Sequence, residues 1–178
     1  WTVYVWAVVH GHVLETALGY FIAPLSTIAV GVLVVGESLT PARRVAVVLG
    51  VIAVIILGLS VGRVPWVALA IAVSWTSYGF LKRTIPLSAV DGMAAEVFFL
   101  LTPAVIVIGA MSGAADSVVG AASVGQIVLI SMAGFATVIP LTMFSYAAQR
   151  VPMTVLAPTQ YVVPSINFLL GWLAYHEP

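Results

Sequence analysis

Two apolar segments carry polar residues and prolines on one helical face, the arrangement expected of a pathway for a polar solute. The first face holds Tyr20, Pro24 and Thr27, and the second holds Gln160, Pro164 and Asn167, 140 positions later. Spacings of four and three residues place each set on a single side of a helix. Each proline removes a backbone hydrogen bond and leaves a carbonyl available to a partner or a solute. We expect these faces to line a central pathway. The alternative is that small residues there only let helices pack closely.

Aromatic residues extend this candidate pathway. Tyr161 directly follows Gln160, and Trp75 and Tyr78 lie three residues apart on one face of another apolar segment. A pair of rings on one face can stack on a planar solute. The alternative is that they serve as packing residues or interfacial anchors, as most aromatic residues of membrane helices do.

Glu96 is the one ionisable residue well inside an apolar segment. A charge at a helix centre costs about 2.5–3.5 kcal/mol on insertion scales, and such residues often act in proton relays. We therefore hypothesise that Glu96 couples transport to protons. The alternative is a hydrated carboxylate, or a protonated one bonded to a neighbouring helix.

His10, His12 and Glu15 form a weak candidate metal site, because Gly11 permits the turn that would aim both rings at one ion. The alternative is an interfacial turn with a carboxylate at a helix start, where the macrodipole favours it. We expect no metal and no cofactor. The sequence has no cysteine and no hydrolase, metalloprotease, phosphate-loop or dinucleotide motif, so we expect no catalytic residues and no enzyme.

The composition predicts an integral membrane protein. Apolar residues make up 62% of the chain and charged residues 7%, and the mean hydropathy is +1.19. The net charge of zero argues against binding to nucleic acid. The expected partners are the lipid bilayer and a small-molecule solute. The sequence leaves open whether the protein forms a homodimer.

Uncharged stretches of about 20 residues predict transmembrane helices. A leading half-helix, 1–9, ends at the turn His10-Gly11-His12. The six predicted spans are 13–35, 44–61, 64–81, 89–110, 126–148 and 153–175, with a short loop at 82–87.

Alternate threading of these spans collects the basic residues on one side of the membrane. That side holds Arg43, Arg44, Lys82, Arg83 and Arg150. Only Arg63 falls on the other side. Lys and Arg of short loops favour the cytoplasm, so we expect the five residues in cytoplasmic loops of a cytoplasmic membrane protein.

The chain also matches itself at an offset of 140. The matched pairs are Phe21 with Tyr161, Pro24 with Pro164, Gly31 with Gly171, Leu33 with Leu173, and Glu37 with Glu177. The two copies are five spans apart, an odd number, so they must be inverted. Inverted repeats usually place a substrate site between them near the bilayer midplane.

The stretch His10 to Leu25, followed by Gly36-Glu37, resembles the RarD branch of the EamA-type transporters in the drug/metabolite transporter superfamily. Further matches run through Val64 to Arg83 and the region of Glu96. The resemblance implies a bacterial permease or exporter of small organic metabolites or drugs.

It also implies an all-α fold of ten helices in two inverted five-helix repeats. Residues 1–62 would hold the end of helix three and helices four and five of the first repeat, and residues 63–178 helices six to nine of the second. On this view the chain is a fragment that lacks helices one, two and ten. The alternatives are a membrane enzyme acting on lipid-linked substrates and a non-transporting membrane scaffold.

Overall fold

The computed structural model describes residues 2–60, 62, 64–111 and 123–166, and every regular element in these ranges is helical. Seven helices of these ranges are numbered in chain order: α1 (Thr2–Val9), α2 (Val13–Leu33), α3 (Pro41–Ser60), α4 (Trp66–Thr84), α5 (Ala89–Met111), α6 (Val124–Arg150) and α7 (Met153–Thr159). The predicted turn at residues 10–12 separates α1 from α2, and Gly11 adopts a φ of 78°, which favours glycine. The predicted all-helical class is confirmed.

Four of the described helices are long and apolar enough to cross a membrane, namely α2, α3, α5 and α6. They correspond to four of the six predicted spans. The predicted span 64–81 does form a helix, α4, but α4 is not among the four. Its serines, its threonines and the cations Lys82 and Arg83 lower its apolar content.

Two predicted boundaries are wrong. The loop predicted at 82–87 begins later, because α4 continues to Thr84. The span predicted from residue 153 is interrupted: α7 ends at Thr159, a turn follows at 160–161, and helical backbone resumes at 162–166. Pro158 and Pro164 each lack the N–H that a continuous helix would use here. Gln160 and Tyr161 instead bond the carbonyls three residues before them. The rest of this span lies outside the described residues.

The chain packs as two compact units. Unit 1 contains the chain up to Arg83 and again from Arg150, and unit 2 contains Thr84 to Gln149. The boundary predicted between residues 62 and 63 falls inside unit 1, and as a boundary between sequence repeats it stays a prediction.

Unit 1 is built around α2, which packs against α1, α3 and α7. Glycines of α2 allow the closest approaches. A Cβ at Gly19 would lie 3.1 Å from the Ala68 carbonyl oxygen of α4, and one at Gly31 would lie 3.0 Å from Cβ of Met153 in α7. Small residues therefore set the helix spacing in this unit.

Unit 2 consists of α5, α6 and their connections, and most of its apolar side chains are exposed. A groove of about 610 Å³ runs between the two helices, lined by apolar residues such as Met93, Val97 and Phe135. Its hydroxyl residues Ser131 and Thr142 donate to carbonyls of their own helix. The groove therefore offers little to a polar solute.

Candidate functional site

Polar side chains of α2 and α4 meet inside unit 1. Thr27 donates to the carbonyl of Ala23 over 2.9 Å, and the hydroxyl of Thr76 lies 3.4 Å from both that carbonyl and the Thr27 hydroxyl. Both threonines are buried. Because Thr27 follows Pro24 on the same face, the predicted face of α2 does turn polar groups toward a neighbouring helix.

The second predicted face, at the break after α7, also meets α4. The indole Nε1 of Trp75 donates to Oε1 of Gln160 over 3.0 Å. An indole can only donate, so the carbonyl end of the Gln160 amide must face Trp75 and its NH₂ group must point elsewhere. That Nε2 is buried and has no hydrogen-bond partner among the described residues.

Tyr161 joins the two faces directly. Its hydroxyl donates to the backbone carbonyl of Phe21 over 3.1 Å, and the rings of Tyr161 and Phe21 lie 6.1 Å apart between centroids. These two residues are matched to each other by the offset of 140. The structure therefore brings together one pair of equivalent positions in the two sequence copies.

A buried cation lies farther along α4. Lys82 is only 5% exposed, and its Nζ lies 5.4 Å from the centroid of the Tyr78 ring, close enough for a cation–π contact. The Tyr78 ring is in turn 5.9 Å from that of Trp75. One face of α4 thus carries Trp75, Tyr78 and Lys82 in succession. Trp75, the first of the three, donates to the amide of Gln160.

Glu37 closes one end of unit 1. Its carboxylate accepts hydrogen bonds from the backbone N–H groups of Met153 and Thr154, each over 2.8 Å, at the start of α7. Arg83 lies 3.5 Å from the same carboxylate and donates to the carbonyl of Val151 over 2.9 Å. Three segments therefore meet here: the chain after α2, the end of α4 and the start of α7.

The pKa of Glu37 lies below its usual value. Burial alone would raise the pKa, but the bonds from Thr154 and Met153 and the charge of Arg83 favour the ionised form and outweigh it. The side chain is 11% exposed, so solvent screens these interactions only in part. The carboxylate is therefore ionised in the folded chain at neutral pH.

The opposite end of unit 1 holds the residues of the candidate metal site. Glu15 accepts from the backbone N–H of Val67, at the start of α4, and its other oxygen lies 3.3 Å from Nδ1 of His12. The Nδ1 of His10 donates to the Trp6 carbonyl over 2.7 Å. No group of three metal-ligating side chains occurs within the described ranges. Glu15 thus accepts a hydrogen bond at the start of α4, and the weak candidate metal site stays a prediction.

The basic residues predicted to share one membrane side lie at helix ends. Arg43 and Arg44 are in the first turn of α3, Lys82 and Arg83 in the last turn of α4, and Arg150 at the end of α6. Glu37 contacts both the end of α4 and the start of α7. The cytoplasmic assignment of this end stays a prediction.

Three other predicted site residues lie apart from the polar cluster of Thr27, Thr76, Trp75 and Gln160. Tyr20 is 40% exposed, and its ring meets Tyr4 of α1 edge-on at 5.8 Å. Glu96 is half-buried in α5, within unit 2. Asn167 lies outside the described residues. Roles in a pathway or in proton coupling stay predictions for all three.

The sequence does not predict two residues that the structure brings to this site, Thr76 and Lys82. Thr76 follows Trp75 but shares no motif with it, and Lys82 lies in the predicted loop 82–87. The helix break at Gln160 is not predicted either, although the spacing of six between Pro158 and Pro164 is a signal for an interrupted helix.

This chain is similar over nearly its whole length to several bacterial proteins. Protein RarD of Streptomyces exfoliatus is 41% identical over 177 residues, which are 99% of this chain and 56% of the relative. The uncharacterized transporter YojE of Bacillus subtilis is 38% identical over 178 residues, 100% of this chain and 59% of the relative. Protein RarD of Escherichia coli is 34% identical over 177 residues, which are 99% of this chain and 60% of the relative.

This chain thus spans less than two thirds of the length of these curated relatives. No family model and no solved structure matches it. The long apolar helices agree with what the names of the relatives indicate. The chain is therefore of the RarD type and belongs to a bacterial multi-pass membrane protein.

Proposed function

We propose that this protein is a secondary transporter of small organic solutes in the cytoplasmic membrane, built from two inverted five-helix repeats. Relatives are named transporters, and one from Pseudomonas aeruginosa, 28% identical, is named a chloramphenicol-sensitive protein RarD. The solute would cross between α2, α4 and α7, along the cluster of Thr27, Thr76, Trp75 and Gln160.

The contact between Tyr161 and Phe21 carries this proposal. When two copies are related by a two-fold axis, a residue that touches its own equivalent must lie close to that axis. In transporters with inverted repeats, the axis passes near the substrate site. The helix starts support the same relation, since α2 begins at Val13 and α7 at Met153, 140 positions later.

The interrupted helix after α7 is a second support. Substrate sites of such transporters are often formed by broken helices whose free backbone groups face the solute. Pro164 has no N–H to give to the carbonyl of Gln160. Gln160 thus brings a backbone acceptor and a side-chain donor to the same turn.

Alternating access needs a closure that can open. We assign it to the cluster of Glu37, Arg83 and the start of α7, since its polar contacts join three segments and each can be exchanged for water. Opening this end would expose the cluster of Thr27, Thr76, Trp75 and Gln160 to one side of the membrane, while the end of unit 1 that contains Glu15 stays closed.

Transport by the full-length protein in proteoliposomes tests the proposal. A panel of amino acids, organic acids, amines and chloramphenicol is offered with and without an imposed pH gradient. Saturable uptake of one solute that is lost in Trp75→Ala, and retained in the exposed control Trp66→Ala, supports the pathway. Uptake that Trp75→Ala leaves unchanged places the pathway elsewhere and contradicts the proposal.

A further inference from the structure

Gln160 presents a buried donor that no described residue accepts. The indole of Trp75 fixes its Oε1, so the orientation of the amide follows from chemistry, and Nε2 points away from Trp75. A buried donor without a partner destabilises a protein, and such groups in native structures call for an explanation. An acceptor oxygen on a bound solute would provide the missing partner.

A positive charge lies on α4, the helix that also carries Trp75. The Nζ of Lys82 is held over the ring of Tyr78, which is three residues from Trp75. The Tyr78 ring centroid is 5.9 Å from that of Trp75. The ammonium group therefore lies within about 11 Å of the ring that orients Gln160.

Among the described residues, the charges at the Glu37 end of unit 1 sum to a positive value. Lys82, Arg83 and Arg150 contribute positive charges, and Glu37 contributes one negative charge. The carboxylate of Glu37 is held by Arg83 and by two N–H groups of α7. The other acidic residue in the described part of this unit, Glu15, accepts from Val67 at the far end of α4.

We propose that the site between α4 and α7 selects organic anions, with a carboxylate oxygen of the solute accepting from Gln160 Nε2 and Lys82 supplying the opposite charge. Organic cations are disfavoured, since bringing them here sets like charges together in a site of low dielectric. This selectivity rests on the proposed transport function and deepens it by naming the class of solute.

The sign of the site is measurable without knowing the solute. A single reporter thiol is introduced by Thr27→Cys in cysteine-free full-length protein in membranes. Its reaction rates with a sulfonate and a trimethylammonium methanethiosulfonate reagent are compared with those of a free thiol. We expect the ratio to favour the sulfonate by about tenfold or more over the free-thiol ratio.

Matched variants assign this preference to Lys82. Lys82→Met should abolish it, whereas Arg44→Met, which removes an exposed cation at the start of α3, should leave it intact. A ratio equal to that of the free thiol, or one unchanged by Lys82→Met, overturns the inference. A thiol that reacts with neither reagent from either side contradicts the transport function itself, and the inference with it.

Protection of the reporter thiol tests the role of Gln160. Benzoate and succinate should slow its labelling and benzylamine should not. Gln160→Leu should weaken protection by the acids at least fivefold, while Gln149→Leu, in unit 2, should not. Equal protection by acid and amine, or absence of protection by the acids, overturns the proposed selectivity and leaves the accessibility of the thiol to judge transport.

Discussion

The hydroxyl of Tyr161 donates to the backbone carbonyl of Phe21 over 3.1 Å, although the two residues are 140 positions apart. The same offset aligns their surroundings, with Pro24 on Pro164 and the start of α2 on the start of α7. A proline-containing helix of each sequence copy therefore meets the other at equivalent residues. Such a contact is consistent with the proposed inverted repeats, in which equivalent residues can meet only near the two-fold axis.

The cap that Glu37 provides predicts a loss of stability on substitution. Glu37→Ala removes two charge-assisted hydrogen bonds and the partner of Arg83, and should lower the free energy of unfolding by about 2 kcal/mol. Glu37→Gln keeps one acceptor oxygen and should cost about half as much. Thermal unfolding in detergent measures both. An equal and negligible effect of the two substitutions would show that the contacts with α7 contribute nothing.

The lowered pKa of Glu37 predicts how stability varies with pH. The folded pKa lies below the unfolded value of about 4.3, so the carboxylate contributes its full stabilisation above that value. The contribution is lost as the pH falls through the lower, folded pKa. A series of unfolding temperatures between pH 7 and pH 3 should therefore fall less steeply in Glu37→Gln than in the wild type. Parallel curves would contradict this.

Close packing at Gly31 predicts that an added methyl group is costly there. In Gly31→Ala the new Cβ would lie 3.0 Å from Cβ of Met153 and 3.1 Å from Oε2 of Glu37. Overpacking of this kind costs about 1–3 kcal/mol. Gly58→Ala in α3 is the matched control, because nothing lies within 4 Å of its added Cβ, and it should gain up to about 1 kcal/mol from helix propensity. Similar unfolding temperatures for both variants would refute the close approach of α2 and α7.

Glu96 is the residue that we expect to couple transport to protons. If its carboxylate carries the proton, Glu96→Gln should remove the response of solute uptake to an imposed pH gradient while solute exchange continues. Asp91→Asn is the control, since Asp91 is exposed at the start of the same helix and bonded to Ser88. Gradient-driven uptake that survives in Glu96→Gln would remove this residue from the coupling mechanism.

The helical class and most helix positions follow from the sequence, because long uncharged stretches leave the backbone no alternative in a bilayer. The helix break after Thr159 was not predicted. The predicted span runs through Pro158 and Pro164, each of which removes a helix hydrogen bond and crowds the carbonyl four residues before it. Lys82 was placed in a loop, since charge alone does not show that a cation can be buried over an aromatic ring.

The candidate site was predicted in part. Thr27, Trp75, Gln160 and Tyr161 share helical faces with prolines or aromatic residues, and spacing along a helix identifies such faces. Their partners are set by tertiary packing, and no spacing rule brings Trp75 to Gln160, 85 positions away. The sequence identifies Glu37 in the repeat and in the family resemblance but not as a partner of α7, because its bonds to α7 span 116 and 117 positions.

Alternating exposure of positions 24 and 164 to the two sides of the membrane is the direct test of a transport pathway between α2 and the segment that follows α7. Single cysteines placed at positions 24 and 164 of the full-length protein are labelled with an impermeant thiol reagent from each side of the membrane, with and without a transported solute. We expect each thiol to be labelled from both sides, and we expect the solute to shift the ratio of labelling from the two sides in the same direction at both positions. Labelling confined to one side, unchanged by any solute, would contradict a transport pathway between the two repeats.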